Sequence, residues 1–319
     1  MQFDEMGNSA GKILFLLPGT ACDYQTNFAA VLDRLAEKYH LVCVNYDGFD
    51  GSDLIFPDMI MVTEKIERYI QDNYGGRIDG AIGSSLGSSF VGQLIQREKV
   101  HLCHGIFGSP DLDQSGRFSA WLQSKLVVPL LTSFTKSEKK KAKTREKLKG
   151  FFEMDDEAAD RFMACFEKFS PESIKNEYYT DLLTWLKNDI HVAHTKVHFI
   201  YANKMGEKYL KRYKKYFRDP EIREFDMQHE QWLFGGEKYA APVLKAIDEF
   251  METPVPKSIE SRICHHLSFL LNVITAWHIK PNTREKQPPP NSDAPHPAPD
   301  IVIKPPTKKI PMPRNIPTP

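Results

Sequence analysis

Apolar residues along this chain gather into short runs separated by stretches of helical spacing. Six runs of four to six residues, at 13–17, 41–45, 80–83, 102–107, 197–202 and 222–227, predict strands. Between the first two, Phe28, Val31, Leu32 and Leu35 share one helical face; between the second and third, Ile66 and Ile70 do, and Gly75-Gly76 supplies a C-cap. Strands separated by helices imply right-handed βαβ crossovers. The expected fold class is therefore α/β, a mostly parallel sheet flanked by helices.

The alternation stops at 113–195, where only helix-like segments are legible. Their periodic apolar residues are Trp121, Leu122, Leu126 and Leu130, then Phe162, Cys165, Phe166 and Phe169, then Leu182, Leu183 and Leu186, with Pro171 suited to a first helical turn. This predicts a core from 1–112 and 196–256 with 113–195 inserted into it. Residues 263–279 are apolar but interrupted by three histidines, Ser268, Asn272 and Thr275. That is short and polar for a membrane span, which needs about 20 apolar residues, so a packed helix is expected over 257–280. From Pro281 onward 13 of 39 residues are proline, too few of the rest being apolar to offset ordering entropy. A disordered tail over 281–319 is expected, with Pro305-Pro306 and Pro311-Met312-Pro313 as weak sites for SH3-like partners.

Composition removes several function classes. Lys+Arg and Asp+Glu both total 42, so there is no global bias toward nucleic acid or anionic membrane. Basic runs at 136–149 and 207–218 are read as solvated helix faces, the second with Tyr209, Tyr213 and Tyr216 packing inward. Five widely spaced cysteines with no C-x-x-C suggest reduced thiols, and the polar, acidic N-terminus lacks a secretory signal, so a cytoplasmic location is expected. P-loop and dinucleotide fingerprints are absent and His265-His266 has no partner cluster, so neither cofactor nor metal is expected.

The chemistry concentrates at 79–91, D-G-A-I-G-S-S-L-G-S-S-F-V, a strand running through G-x-S-x-G into a helix. Glycines at 83 and 87 suit a sharp strand-to-helix turn, where neighbouring backbone leaves no room for a Cβ. Such a turn exposes the Ser85 hydroxyl beside the unpaired N–H groups of a helix start, which stabilise an oxyanion. Ser84, Ser88 and Ser89 are read as packing or helix-start residues.

Four landmarks in order resemble the α/β-hydrolase superfamily over residues 12–253. They are I-L-F-L-L-P-G-T-A from Ile13, N-Y-D-G-F-D-G-S from Asn45, the turn at Ser85, and M-Q-H-E-Q-W-L from Met227. Pro18 stands where the family usually has histidine, and the second motif lacks the family's proline. The resemblance implies a helical lid at 113–195, Ser85 as nucleophile, His229 as base, and an oxyanion hole from the N–H groups of Leu86 and Thr20, with Ala21 adjacent. The acid is left open. Met205 occupies the place usual for aspartate, so Glu207 is one candidate, Asp111 and Asp113 are others, and the absence of a working acid is a third possibility. The activity implied is hydrolysis of a small-molecule carboxylic ester or thioester. The alternatives are a silent ligand-binding member or a lyase on the same scaffold.

Overall fold

The computed structural model describes residues 1–133 and 137–255. The helix expected at 257–280 and the tail expected at 281–319 lie outside the described residues. Seven strands form one sheet: β1 (Gln2–Gly7), β2 (Ile13–Leu17), β3 (His40–Asn45), β4 (Arg77–Ser84), β5 (His101–Gly108), β6 (Lys196–Ala202) and β7 (Glu221–Phe225). Their order is β1-β3-β2-β4-β5-β6-β7, with β1 antiparallel to β3 and every other pair parallel. All six expected strands are present.

β1 is an addition. Its apolar content is low because it is an edge strand with one neighbour, and its charges are used there. Asp4 accepts a hydrogen bond from the Tyr24 hydroxyl, and Glu5 accepts from those of Tyr69 and Tyr74. Charged edge strands also resist pairing with other chains.

Helices cover both faces. On one, α3 (Met59–Tyr74), α4 (Gly87–Arg97) and α9 (Glu207–Tyr216) set Ile66, Ile70, Phe90, Leu94 and Tyr213 against Phe15, Leu17 and Val42. On the other, α2 (Leu32–Lys38) and α11 (Glu237–Glu252) set Leu35, Val243 and Ile247 against Leu14, Leu16 and Leu41. Consecutive β2 residues thus serve opposite cores, as a strand buried on both faces requires. The helix expected around 28–35 is split: α1 (Tyr24–Asn27) starts at Asp23, whose side chain accepts the Thr26 N–H, and α2 follows.

Between β5 and β6 lie α5 (Arg117–Ser133), α6 (Glu138–Phe152), α7 (Asp156–Lys168) and α8 (Pro171–Leu183). The basic residues of α6 face acids of α7: Arg145 pairs with Asp160 at 2.6 Å and Lys149 with Asp156 at 2.5 Å. In α9, Tyr213 stacks on Phe199 with ring centroids 4.2 Å apart, the inward packing expected of the tyrosine stripe.

The apolar periodicity of α5 points outward. Ala120, Ser124 and Val128 are buried, whereas Phe118, Trp121, Leu122 and Leu126 are exposed, Phe118 and Leu126 by 75 % and 66 %. The spacing marks a helix, but small residues let it approach α8 and leave the larger side chains outside.

Candidate active site

The turn between β4 and α4 has the geometry its glycines allow. A Cβ on Gly83 would lie 2.3 Å from the Ser88 nitrogen, and one on Gly87 would lie 2.1 Å from the Leu17 carbonyl oxygen. Both are impossible contacts, so neither position tolerates a side chain. Between them Ser85 is held at φ 47°, a left-handed conformation that costs a non-glycine residue on the order of 1 kcal/mol or more. The strain is retained because the Ser85 N–H is bonded to the Gly108 carbonyl at 3.0 Å and the helix begins at once.

His229 lies in the loop between β7 and α10 (Gln231–Phe234). Its Nε2 is 3.0 Å from Ser85 Oγ, a hydrogen bond closed across 144 positions of chain. Burial pushes its pKa below the ordinary histidine value, while the charge of Asp111 and the Ser109 backbone push it partly back up. Its Nδ1 is buried and, among the described residues, meets no acceptor in good hydrogen-bonding geometry.

The three acid candidates separate clearly. Glu207 opens α9 with its side chain 84 % exposed and, among the described residues, paired with Lys211 at 3.8 Å, so the structure does not bring it to the imidazole. Glu207 could reach the imidazole only if its loop curled back, and it does not: Gly206 (φ 104°) leads directly into α9. Asp113 pairs with Arg212 at 2.7 Å. Asp111 is the candidate whose charge acts on His229; burial and the neighbouring charge of Asp113 raise the Asp111 pKa, and His229 draws it only partly back down. Asp181 of α8 is buried close to Asp111, and burial with that charge raises its pKa to about 8.

The loop after β2 passes over the turn. Its Gly19 N–H donates to Asn27 Oδ1 at 2.9 Å, and the Ala21 N–H donates to Glu177 Oε2 of α8 at 2.9 Å. Ala21 is thus committed to another acceptor. The N–H groups of Thr20 and Leu86 donate to nothing among the described residues. Thr20 borders the cavity above Ser85, and Leu86 sits at the start of α4, where the helix dipole adds positive potential.

That cavity has a volume of about 280 Å³. Ser85, His229, Ser84 and Glu230 meet the Gly19-Thr20 loop there, and four aromatic residues, Phe152, Phe162, Tyr178 and Phe234, form much of the remaining wall. Phe152, Phe162 and Tyr178 come from α6, α7 and α8, so the insertion encloses the site. Phe162 meets Phe234 edge-on at 5.1 Å, joining the insertion to the histidine loop. Sequence reading did not place these aromatics at the site, although Phe162 was read as a periodic apolar residue, and it missed Glu230 and Glu177. A phenylalanine in an amphipathic helix carries no mark of the cavity it will face, and a lone glutamate reads as surface.

No family model matches the chain, and no curated protein does. Solved structures do match. A thermophilic esterase from Thermogutta terrifontis superposes with a TM-score of 0.60 at 13% identity, over 78% of this chain and 93% of that one. An epoxide hydrolase from Bacillus megaterium gives 0.60 at 12%, over 79% and 96%. The chain has the α/β-hydrolase fold. A lipase-esterase related protein from Clostridium acetobutylicum gives 0.56 at 16%, over 78% and 98%. Identities this low carry the α/β-hydrolase fold and no particular chemistry. Among the described residues, no helix is long and apolar enough to cross a membrane.

Proposed function

We propose that the protein is a serine hydrolase that cleaves a carboxylic ester or thioester of a small, apolar acyl group through an acyl-serine intermediate. The observation that carries this reading is the 3.0 Å contact of Ser85 Oγ with His229 Nε2, made on a strained turn at the edge of an apolar cavity. A serine hydroxyl is a weak nucleophile until a base takes its proton as it attacks. His229, kept neutral by burial, takes that proton and returns it to the leaving alcohol or thiol; water then repeats the sequence on the acyl-enzyme. The free N–H groups of Leu86 and Thr20 are the donors for the oxyanion, and losing one such donor costs about 10²–10³ in rate.

Asp111 is the acid in this reading, because its charge favours the imidazolium that forms during attack. The insertion acts as a lid whose aromatics exclude water and hold the acyl group. A cavity of about 280 Å³ is at or just below the small end of the range for ligand pockets, roughly 300–1,000 Å³, which favours a compact acyl group over a long chain. The unpartnered Nδ1 of His229 favours a second reading, a silent fold member that binds a small ligand in the same cavity.

A fluorophosphonate probe separates the two. The expected result is a stoichiometric adduct on Ser85, absent in Ser85→Ala; well-folded protein that forms no adduct overturns the hydrolase reading. A series of acyl esters is then expected to peak at short to medium chain length.

A further inference from the structure

Glu230 follows the base directly and turns its loop back toward the sheet. Its backbone is left-handed, φ 57°, at the start of α10, and the residue is 3 % exposed. Its carboxyl reaches the nucleophile turn. Oε2 accepts a hydrogen bond from Ser84 Oγ, and Oε1 accepts the Ser85 N–H at 3.3 Å. Burial raises its pKa to about 8, against the pull of those two hydrogen bonds. None of the roles in acyl transfer described above uses this carboxyl.

The residue before the nucleophile and the residue after the base are thus joined by a second bridge beside the Ser85–His229 contact. The imidazole needs such support. In a serine triad the base is oriented by a hydrogen bond at Nδ1, and here Nδ1 meets no acceptor in good hydrogen-bonding geometry among the described residues. We propose that Glu230 is a positioning residue: by binding Ser84 Oγ and the Ser85 N–H it pins the histidine loop to the nucleophile turn and keeps Ser85 and His229 in reacting geometry. This rests on the serine-hydrolase reading.

Either protonation state of the carboxyl makes both contacts. The ionised form accepts from both groups, whereas the neutral form donates to Ser84 Oγ and accepts from the Ser85 N–H. Glutamine reproduces the neutral form, with its amide nitrogen donating to Ser84 and its oxygen accepting from Ser85. Alanine removes the bridge and leaves the loop free to drift, and a displacement of about 1 Å costs about 10²-fold in rate.

The test measures the rate of fluorophosphonate reaction at Ser85, with kcat and KM on an ester the protein cleaves. The proteins are wild type, Glu230→Gln, Glu230→Ala, Ser84→Ala and the Ser84→Ala/Glu230→Ala pair, each checked for a cooperative melt. Glu230→Gln is expected within about threefold of wild type. Glu230→Ala is expected to lose about 10²-fold in kcat and labelling rate, with KM within about threefold. Ser84→Ala is expected to fall between them, and the double variant no lower than Glu230→Ala alone, because the two residues act as one unit. Folded Glu230→Ala that reacts like wild type overturns the proposal; so do losses that multiply in the double variant, or Glu230→Gln falling as far as alanine. If Glu230→Ala fails to fold, Ser84→Ala decides, and a wild-type rate there refutes the bridge. Wild type that never labels sinks the hydrolase reading and this inference with it, whereas labelling unaffected by these variants sinks this inference alone.

Discussion

At the scale of single residues the proposed hydrolase rests on one base, His229, whose charge state is set by opposing influences. Burial lowers the His229 pKa and Asp111 raises it. The base works only when neutral, so activity is lost as pH falls through its folded pKa, which lies below the usual value of about 6.5. The acid limb of kcat/KM is therefore expected below that value. Asp111→Asn removes the charge that props the pKa up, so it should move the limb to lower pH. It should also cut kcat by about 10²–10⁴-fold, the upper figure being the loss seen when a serine-protease acid is spoiled. Glu207→Gln, at an exposed position, should leave both within about twofold. A pH–rate series on the three proteins checks this, and equal losses from the two variants would refute the Asp111 assignment. That Ser85 and His229 belong together was legible in the sequence, because the glycine spacing and the motif order are local. Which carboxylate acts on the imidazole was not, because that depends on the paths of two loops whose residues carry no steric signature.

Among the secondary-structure elements, α5 and α8 show how a pattern can name a helix without orienting it. The spacing of Trp121, Leu122 and Leu126 is helical, yet α5 lays its Ala120–Ser124–Val128 stripe inward. Small residues permit close approach of backbones, and that packing outweighs exposure of the larger side chains on the other face. Leu126→Lys should therefore change Tm by no more than about 2 °C, since exposed substitutions stay within roughly 0.5 kcal/mol. Ala120→Glu, which forces a carboxylate into a fully buried position, should destabilise by at least about 2 kcal/mol. Thermal melts of the two variants test the orientation, and the reverse ranking would contradict it. The α8 helix ties the insertion to the core through Glu177, which is buried and accepts the Ala21 N–H, one residue along the loop from Thr20.

The whole molecule carries buried titratable groups far from the site, and these link its stability to pH. His104 Nδ1 and His198 Nε2 lie 3.2 Å apart across β5 and β6, and burial lowers their pKa values to about 4 and about 3. Both stay neutral in the fold while the unfolded chain takes up protons below about 6.5. Their contribution is thus complete above that pH and is lost as pH falls toward 4, by on the order of a few kcal/mol. Asp181 and Glu230, each raised to about 8, act with the opposite sign, because the fold holds protons that the unfolded chain has released. The clean readout is therefore a difference: between pH 7 and 4.5, His104→Gln should lose less stability than wild type, and equal slopes in chemical denaturation would refute the linkage. Taken by itself, the sequence determined the alternation of strands and helices, the glycine turn at Ser85 and the order of the landmarks, because these follow from periodicity and from sterics between near neighbours. Only the tertiary structure decided that Gln2–Gly7 is an edge strand, that the larger side chains of α5 face outward, that Glu207 opens to solvent while the charge of Asp111 acts on His229, and that Glu230 bonds the nucleophile turn. Each of those depends on which distant surfaces exclude water from one another, and no spacing along a chain records that.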